Sequence, residues 1–470
     1  MTKIQTNPAD WSALTPVLLG DGPRAAALHA AIRTLIETGL AAPGAKLPTT
    51  RDLATRLGVS RVAAVTAYET LVAEGFTIAR VGAGTFVAEA VPALPRSAAG
   101  DARRAAPQGP LPCELGVALA DARTMRLFRG FLARRLSRPG PEHFSYGDAR
   151  GNPALREAIA AYLRGARGVR CGADQVMVTS GAMHGLDLLV RATLRPGDAV
   201  WIEDPCYPHA RAVIERAGGR VVGVPVDAEG LDPVRGEQIC PEARLVYVTP
   251  SHQFPLGVTL SMRRRLALID WARRSGAWIV EDDYDSEFRY AGPPLTALQG
   301  VDGSERVAYL GTFAKVLFPG LRVGYAVAPP PLACAMQGLR ALGDRQPSSL
   351  AEGALADFLA EGQLAAHLRR TRRKVRSARD ALADALREHG EGRLEVAVPE
   401  QGLHLIATLT AGSNDVAIAD ALREIGVAAR ALSPMYLTAP PKSGLVLGFS
   451  GFDETVLREA ARRICAAVQA

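Results

Sequence analysis

The chain has 470 residues, 48% of them hydrophobic and 22% charged, with a net charge of +7 and a pI near 9.2. That length supports two or three domains with proper cores, and no apolar run approaches the roughly 20 residues of a membrane span, so no membrane partner is expected. The opening stretch "MTKIQTNPADWSALTP" lacks the basic-then-apolar layout of a signal peptide, which predicts a cytoplasmic protein. Cysteines at 113, 171, 206, 240, 334 and 465 are scattered without a C-x-x-C pair, so neither a zinc site nor a disulfide framework is indicated. The positive balance permits a polyanionic partner.

In chain order, residues 14–88 read as helix, helix, turn, helix, hairpin. "AAALHAAIRTLIETG" sets Leu28, Ile32, Leu35 and Ile36 at helical spacing and ends at Gly39. A second helix, capped by Thr49 or Thr50, aligns Leu53, Ala54 and Leu57 on one face. After a Gly58-Val59-Ser60 turn, a third helix starts at Ser60 with Val65, Tyr68, Leu71 and Val72 expected inward. Two short helices joined by a glycine turn form a helix-turn-helix, whose second helix enters the DNA major groove. "FTIARVGAGTFVAEA" alternates as two strands around Gly82 and Gly84, a wing.

The stretch "PGAKLPTTRDLATRLGVSRVAAVTAYETLVAEGF…ARVGAGTFVA" resembles the GntR-type winged helix nearly end to end. The resemblance implies double-stranded DNA as partner. Arg51 and Arg61 would contact phosphates or base edges, Ser60 would cap the recognition helix on a phosphate, and Gly82 would approach the minor groove. Thr50, Thr66 and Arg80 complete the implied contact set. Val62-Ala63 stands where the family usually has polar residues, so readout there would be apolar, as to thymine methyls.

"AEAVPALPRSAAGDARRAAPQGPLP" is rich in Ala, Pro, Gly and Arg without apolar periodicity, a linker composition. Residues 89–113 are therefore assigned as linker and 114–470 as one large block. Strands and helices alternate in that block, which predicts an α/β fold with a largely parallel sheet. "QVMV" runs into Thr179-Ser180-Gly181, "AVWI" into "EDPCY", "LVYV" into "TPSHQFPLG", "AWIV" into "EDDY" and "VAYL" into "GTFAK". Ligands of open α/β sheets sit beyond the carboxyl ends of the strands, so these five ends should converge.

The groups they carry describe one ligand. "TSGA" entering a helix offers N–H groups to a phosphate, with Thr312 and Arg322 beside it. A carboxylate closing a buried strand suits a protonated ring nitrogen, and a tyrosine two residues on suits a phenolic oxygen. Lys315 is one of only five lysines in an arginine-rich chain, set in the Gly-rich apolar stretch "GTFAKVLFPGLRVGY". Only lysine can lose its proton there and form an imine. Together these groups specify pyridoxal 5′-phosphate (PLP).

Residues 114–470 also resemble the fold-type-I aminotransferases, and are most similar to the aminotransferase-like domain of the MocR subfamily of GntR regulators. The motifs are "YGDARGNPALREAIAAYL", "TPSHQFPLGVTLS", "EDDYDSEFRY" and "GTFAKVLFPGLRVGY". The resemblance implies a multidomain homodimer: an N-terminal α+β winged helix-turn-helix, then an α/β PLP-dependent-transferase-like domain packed head to tail that senses a small effector. By it Lys315 carries the Schiff base, Asp282 pairs the pyridine nitrogen, Tyr284 bonds O3′ and Tyr207 stacks on the ring. Ser180, Gly181, Ala182, Thr312 and Arg322 would hold the phosphate, reached by Tyr146 from the neighbouring subunit.

Two positions depart from the pattern. Ala314 replaces the usual serine before the lysine. Val446, in "SGLVLGFSG", stands where an arginine would clamp a substrate carboxylate. His209, Arg211 and Arg430 are the candidate substitutes. The apparent loss of the clamp favours PLP itself as effector, with control of vitamin B6 supply, over an amino compound that reacts with PLP. A working aminotransferase with an accessory DNA-binding domain is the rival reading, and a cofactor-free structural domain a third. "HLRRTRRKVRSARDALADALREHG" (367–390) reads as a solvated basic helix linking large and small domains, with a second DNA-backbone contact as the alternative. Asp283, Asp285 and Glu287 could suggest a metal, but no histidine stands at ligand spacing, so none is expected.

Overall fold

The computed structural model describes residues 24–89, 109–119, 121–140, 144–302, 305–410 and 412–469. The readings made for residues 1–23 and 90–108 lie outside them. The chain divides into two compact units, Met1–Gln108 and Gly109–Ala470.

In the first unit α1 (Arg24–Glu37), α2 (Thr50–Leu57) and α3 (Arg61–Ala73) precede the hairpin β1 (Thr77–Arg80) and β2 (Gly84–Val87). Both short helices start at a side-chain cap. The Thr49 hydroxyl accepts from Asp52 N, and Gly58 (φ 64°) ends α2 in the left-handed region open to glycine. The Ser60 hydroxyl accepts from Ala63 N, so Ser60 is the cap of α3 and the helix begins at Arg61. Leu28, Ile32, Ile36, Leu53, Tyr68 and Leu71 form the core, with Leu35 and Leu57 packed at its edge. The inward face of α3 differs from the expectation. Ala63, Ala64 and Ala67 are buried beside Tyr68 and Leu71, whereas Val72 is 38% exposed. Small alanines let α3 lie close against the other helices, and the bulkier valine is left outside.

The second unit is built on an eight-stranded sheet. Its strands are β3 (Val176–Thr179), β4 (Ala199–Asp204), β5 (Arg220–Asp227), β6 (Gly230–Leu231), β7 (Leu245–Val248), β8 (Trp278–Asp283), β9 (Val307–Thr312) and β10 (Gly324–Val327). The order is β3-β10-β9-β8-β7-β4-β5-β6. The run from β9 through β8, β7 and β4 to β5 is parallel, and β10 runs antiparallel to both β3 and β9. β3 and β9 therefore point the same way. β3, β4, β7, β8 and β9 are buried along almost their whole length, the apolar signature of a sheet covered on both faces.

The helix Gln363–His389 buries Leu368, Val375, Leu382 and Leu386 while its arginines face mainly outward. It leads to a second sheet of β11 (Leu394–Ala397), β12 (His404–Leu409), β13 (Arg430–Ala431) and β14 (Gly444–Gly448), ordered β11-β12-β14-β13. Pro112 O and Cys113 O, at the end of the stretch read as linker, accept from Ala428 N and Gly448 N and so tie that segment to the second sheet.

Candidate functional site

The carboxyl ends of β3, β4, β7, β8 and β9 open on one cavity of about 250 Å³. Gly181 and Ala182 line it after β3, Tyr207 after β4, Asp282 and Tyr284 from β8, and Thr312 and Lys315 from β9, with Arg322 beside them.

Lys315 is half-buried in the turn just beyond β9, where burial lowers the pKa of its amine against the opposing pull of Asp285 and Asp282. Gly116 (φ 84°) lies directly against it, and a Cβ at that position would collide with Nζ. Asp282 is 4% exposed, and burial pushes its carboxyl up to about 6. The Tyr247 hydroxyl donates to Oδ2 at 2.6 Å, while Oδ1 is buried without a partner. A buried acceptor with nothing donating to it is costly unless a ligand supplies the donor. The Tyr284 hydroxyl donates to His252 O at 2.9 Å, and burial with Asp285 and Asp282 nearby pushes its pKa well up. Tyr207 packs edge-on to Phe254 at 5.1 Å.

Also lining the cavity, Gly181 (φ 100°) heads the helix Ala182–Thr193, whose first N–H groups have no side-chain cap and can face an anion. Gly324 presses on this turn, and a Cβ there would come within 2.7 Å of the Gly181 carbonyl carbon. Arg322, itself left-handed at φ 52°, donates from Nη2 to Ser180 O at 2.7 Å. Ser180 is tied to Arg322 through its carbonyl and does not itself line the cavity. Tyr146 is 76% exposed under the Arg345 guanidinium, 4.4 Å away, and does not line the cavity of its own chain.

On the first unit Arg51, Ser60, Arg61, Thr66, Arg80 and Gly82 are all exposed, and Thr50 is half-buried. Arg61 occupies the first position of α3. Val62 is 75% exposed but Ala63 only 8%, so the apolar pair reduces to Val62 because Ala63 belongs to the core.

Residues 24–87 match the family "Bacterial regulatory proteins, gntR family", and residues 133–464 match "Aminotransferase class I and II". The probable rhizopine catabolism regulatory protein MocR of Rhizobium meliloti is 36% identical over 457 residues, 93% of this chain and 92% of its own. The chain belongs to the MocR-type GntR transcriptional regulators. A second relative, the pyridoxine biosynthesis transcriptional regulator PdxR of Corynebacterium glutamicum, is 34% identical over 93% of this chain and 94% of its own. Among solved structures, the kynurenine aminotransferase of Pyrococcus horikoshii superposes with a TM-score of 0.70 at 27% identity, covering 76% of this chain and 90% of that one. The C-terminal unit is thus a fold-type-I aminotransferase domain.

Of the three candidate effector residues in this MocR-type regulator, only Arg430 lines the cavity. Arg211 pairs with Glu215 at 2.8 Å and lines a separate depression, because it lies one helical turn beyond Tyr207. His209 is exposed outside the cavity, its ring 5.3 Å from that of Tyr207.

The acidic run after β8 is engaged internally. Asp283 accepts from Arg167 Nε at 2.8 Å and Tyr309 Oη at 2.6 Å, and Glu287 accepts from Tyr162 at 2.7 Å. The ground on which sequence spacing excluded a metal does not hold. His252 and His404, far apart in the chain, bring ring nitrogens within 4.8 Å of an Asp285 oxygen. Those rings have hydrogen-bonded duties: His252 Nδ1 lies 2.9 Å from Asp285, and His404 Nε2 donates to Pro255 O at 3.0 Å. Burial pushes His404 down to about 3, so it stays neutral behind Lys315. Sequence reasoning missed Gly116, Tyr247, His252 and His404 as site residues. His252 sits inside the "TPSHQFPLG" motif, whereas nothing local marks Gly116.

Proposed function

We propose that this MocR-type regulator holds PLP in the 250 Å³ cavity and couples the state of that site to DNA binding. The observation that carries this reading is the convergence of the Lys315 amine and the unpartnered Asp282 Oδ1 on one cavity. When bound there, PLP supplies an aldehyde that condenses with a primary amine and an electron-withdrawing pyridinium ring. Lys315 is the amine, Asp282 Oδ1 accepts from the ring N–H, Tyr284 bonds the phenolic oxygen and Tyr207 lies against the ring. Gly181, Ala182, Thr312 and Arg322 hold the phosphate, with the Ser180 carbonyl positioning the Arg322 guanidinium. The effector is PLP or an amino compound that reacts with it, and the relative named as a pyridoxine biosynthesis regulator supports a link to vitamin B6 metabolism. Arg51, Arg61 and their neighbours on the winged helix meet an operator in the cytoplasm.

The test of the site is the visible spectrum of the purified full-length chain. It is expected to show the absorbance band of protein-bound PLP, and Lys315→Ala to lose it. An unchanged spectrum in the variant contradicts the role of Lys315. Steady turnover of an amino acid with 2-oxoglutarate would instead mark the chain as a working aminotransferase.

A head-to-tail homodimer completes the reading, because Tyr146 can serve a phosphate only in the neighbouring subunit's cavity. Light scattering should give twice the chain mass of 49.7 kDa. A monomer that retains the full cofactor band contradicts the dimer.

A further inference from the structure

The arginine missing at position 446 has a replacement directly across a strand pair. β13 and β14 are antiparallel, with Arg430 registered opposite Val446. Residues directly opposite in an antiparallel pair project to the same face of the sheet. The face in question is the cavity side: Val446 is fully buried in a cluster with Phe254, Leu432 and Met435, against which Tyr207 and Tyr284 pack. A side chain starting from Arg430 therefore reaches the space that an arginine at 446 would have served, from one strand further out.

The charge of Arg430 is also uncommitted. It lines the cavity with Lys315, yet it is exposed and its side chain makes no ion pair or hydrogen bond among the described residues. By contrast Arg211 is held by Glu215. Arg322, the other guanidinium of the cavity, is tied to the Ser180 carbonyl in the phosphate cradle. Arg430 is not part of that cradle. Its field acts on Tyr207, beyond β4, and on Lys315, whereas the cradle follows β3 at the other edge of the sheet order. Among the described residues the only carboxylate lining the cavity is Asp282, already bonded to Tyr247 on one oxygen and assigned to the ring nitrogen on the other. A guanidinium keeps its proton at any working pH and forms paired hydrogen bonds with a carboxylate.

We propose that Arg430 is an anion-binding residue and that the effector is an amino compound bearing a carboxylate, with its amine at Lys315 and its acid on Arg430. This rests on the PLP reading and narrows it: the premise that favoured PLP alone as effector, the loss of the carboxylate clamp, is met by Arg430.

The test uses full-length protein loaded with PLP and three matched pairs of probes that differ only by the carboxylate: glycine and methylamine, β-alanine and ethylamine, 4-aminobutyrate and propylamine. Each is titrated while the visible band and the affinity for a DNA duplex from upstream of the protein's own gene are followed. The wild type should bind the acid of at least one pair about ten- to a hundred-fold more tightly than its amine, the worth of one charge-assisted bidentate contact. Arg430→Met should keep the cofactor band and reduce that preference to near unity, with Arg430→Lys intermediate. β13 is a short edge strand and Arg430 is exposed, so the methionine stem is accommodated. A wild type that holds PLP but shows no preference for any acid overturns the proposal, as does a preference that survives in Arg430→Met. Absence of the cofactor band from the wild type is a distinct result and refutes the PLP reading itself.

Discussion

Asp282 is the residue on which pH should act most visibly. Burial raises its carboxyl to about 6, with the Tyr247 hydrogen bond opposing the shift. Below that pH the group holds its proton and cannot accept from a pyridinium; above it the free Oδ1 can. The lowered pKa of Lys315 works in the same direction, since the neutral amine becomes more available as pH rises. The affinity of the apo-protein for PLP is therefore expected to increase from about pH 5 to about pH 8, with a step centred near the Asp282 value. Asp282→Asn should bind PLP more weakly and lose that step. Calorimetric titration at several pH values checks this, and a step retained in the asparagine variant would assign it elsewhere. That Asp282, Tyr284 and Lys315 line the cavity was legible because each stands at, or within three residues of, the carboxyl end of an apolar strand. Tyr247 and His252 were not, because their roles arise from a neighbouring strand and a loop that only the folded sheet brings alongside.

Among the elements, α3 carries the DNA argument. Its cap at Ser60 and its start at Arg61 put an exposed guanidinium on the first turn, where the helix N-terminus also favours a phosphate. Arg61→Ala should cost about 1–3 kcal/mol of operator affinity and leave the cofactor band in place. Fluorescence anisotropy at moderate salt measures the first and absorbance the second. Normal operator binding by the variant would show that α3 is not the reading helix. Helical periodicity located all three helices but misjudged the buried face of α3, placing Val72 inward. Apolar spacing alone cannot distinguish a helix packed through small residues such as Ala63 and Ala67 from one packed through large ones. The same limit applies to Arg211 and Arg430: proximity in sequence favoured the first, and strand pairing brings the second to the cavity.

For the whole molecule, the two units were separable in the sequence by composition, and long motifs marked the family. The proposed coupling of a cofactor site on one unit to DNA held by the other predicts linkage: a ligand that changes DNA affinity must itself bind with altered affinity when DNA is present. The most direct measurement titrates PLP, alone and with the amino acids of the matched pairs, into apo-protein on a duplex from upstream of its own gene. Operator affinity should change severalfold as the cofactor band develops, and Lys315→Ala should abolish the change while still binding the duplex. An affinity that stays constant while the band grows to saturation, with and without the amino acids, would contradict the account.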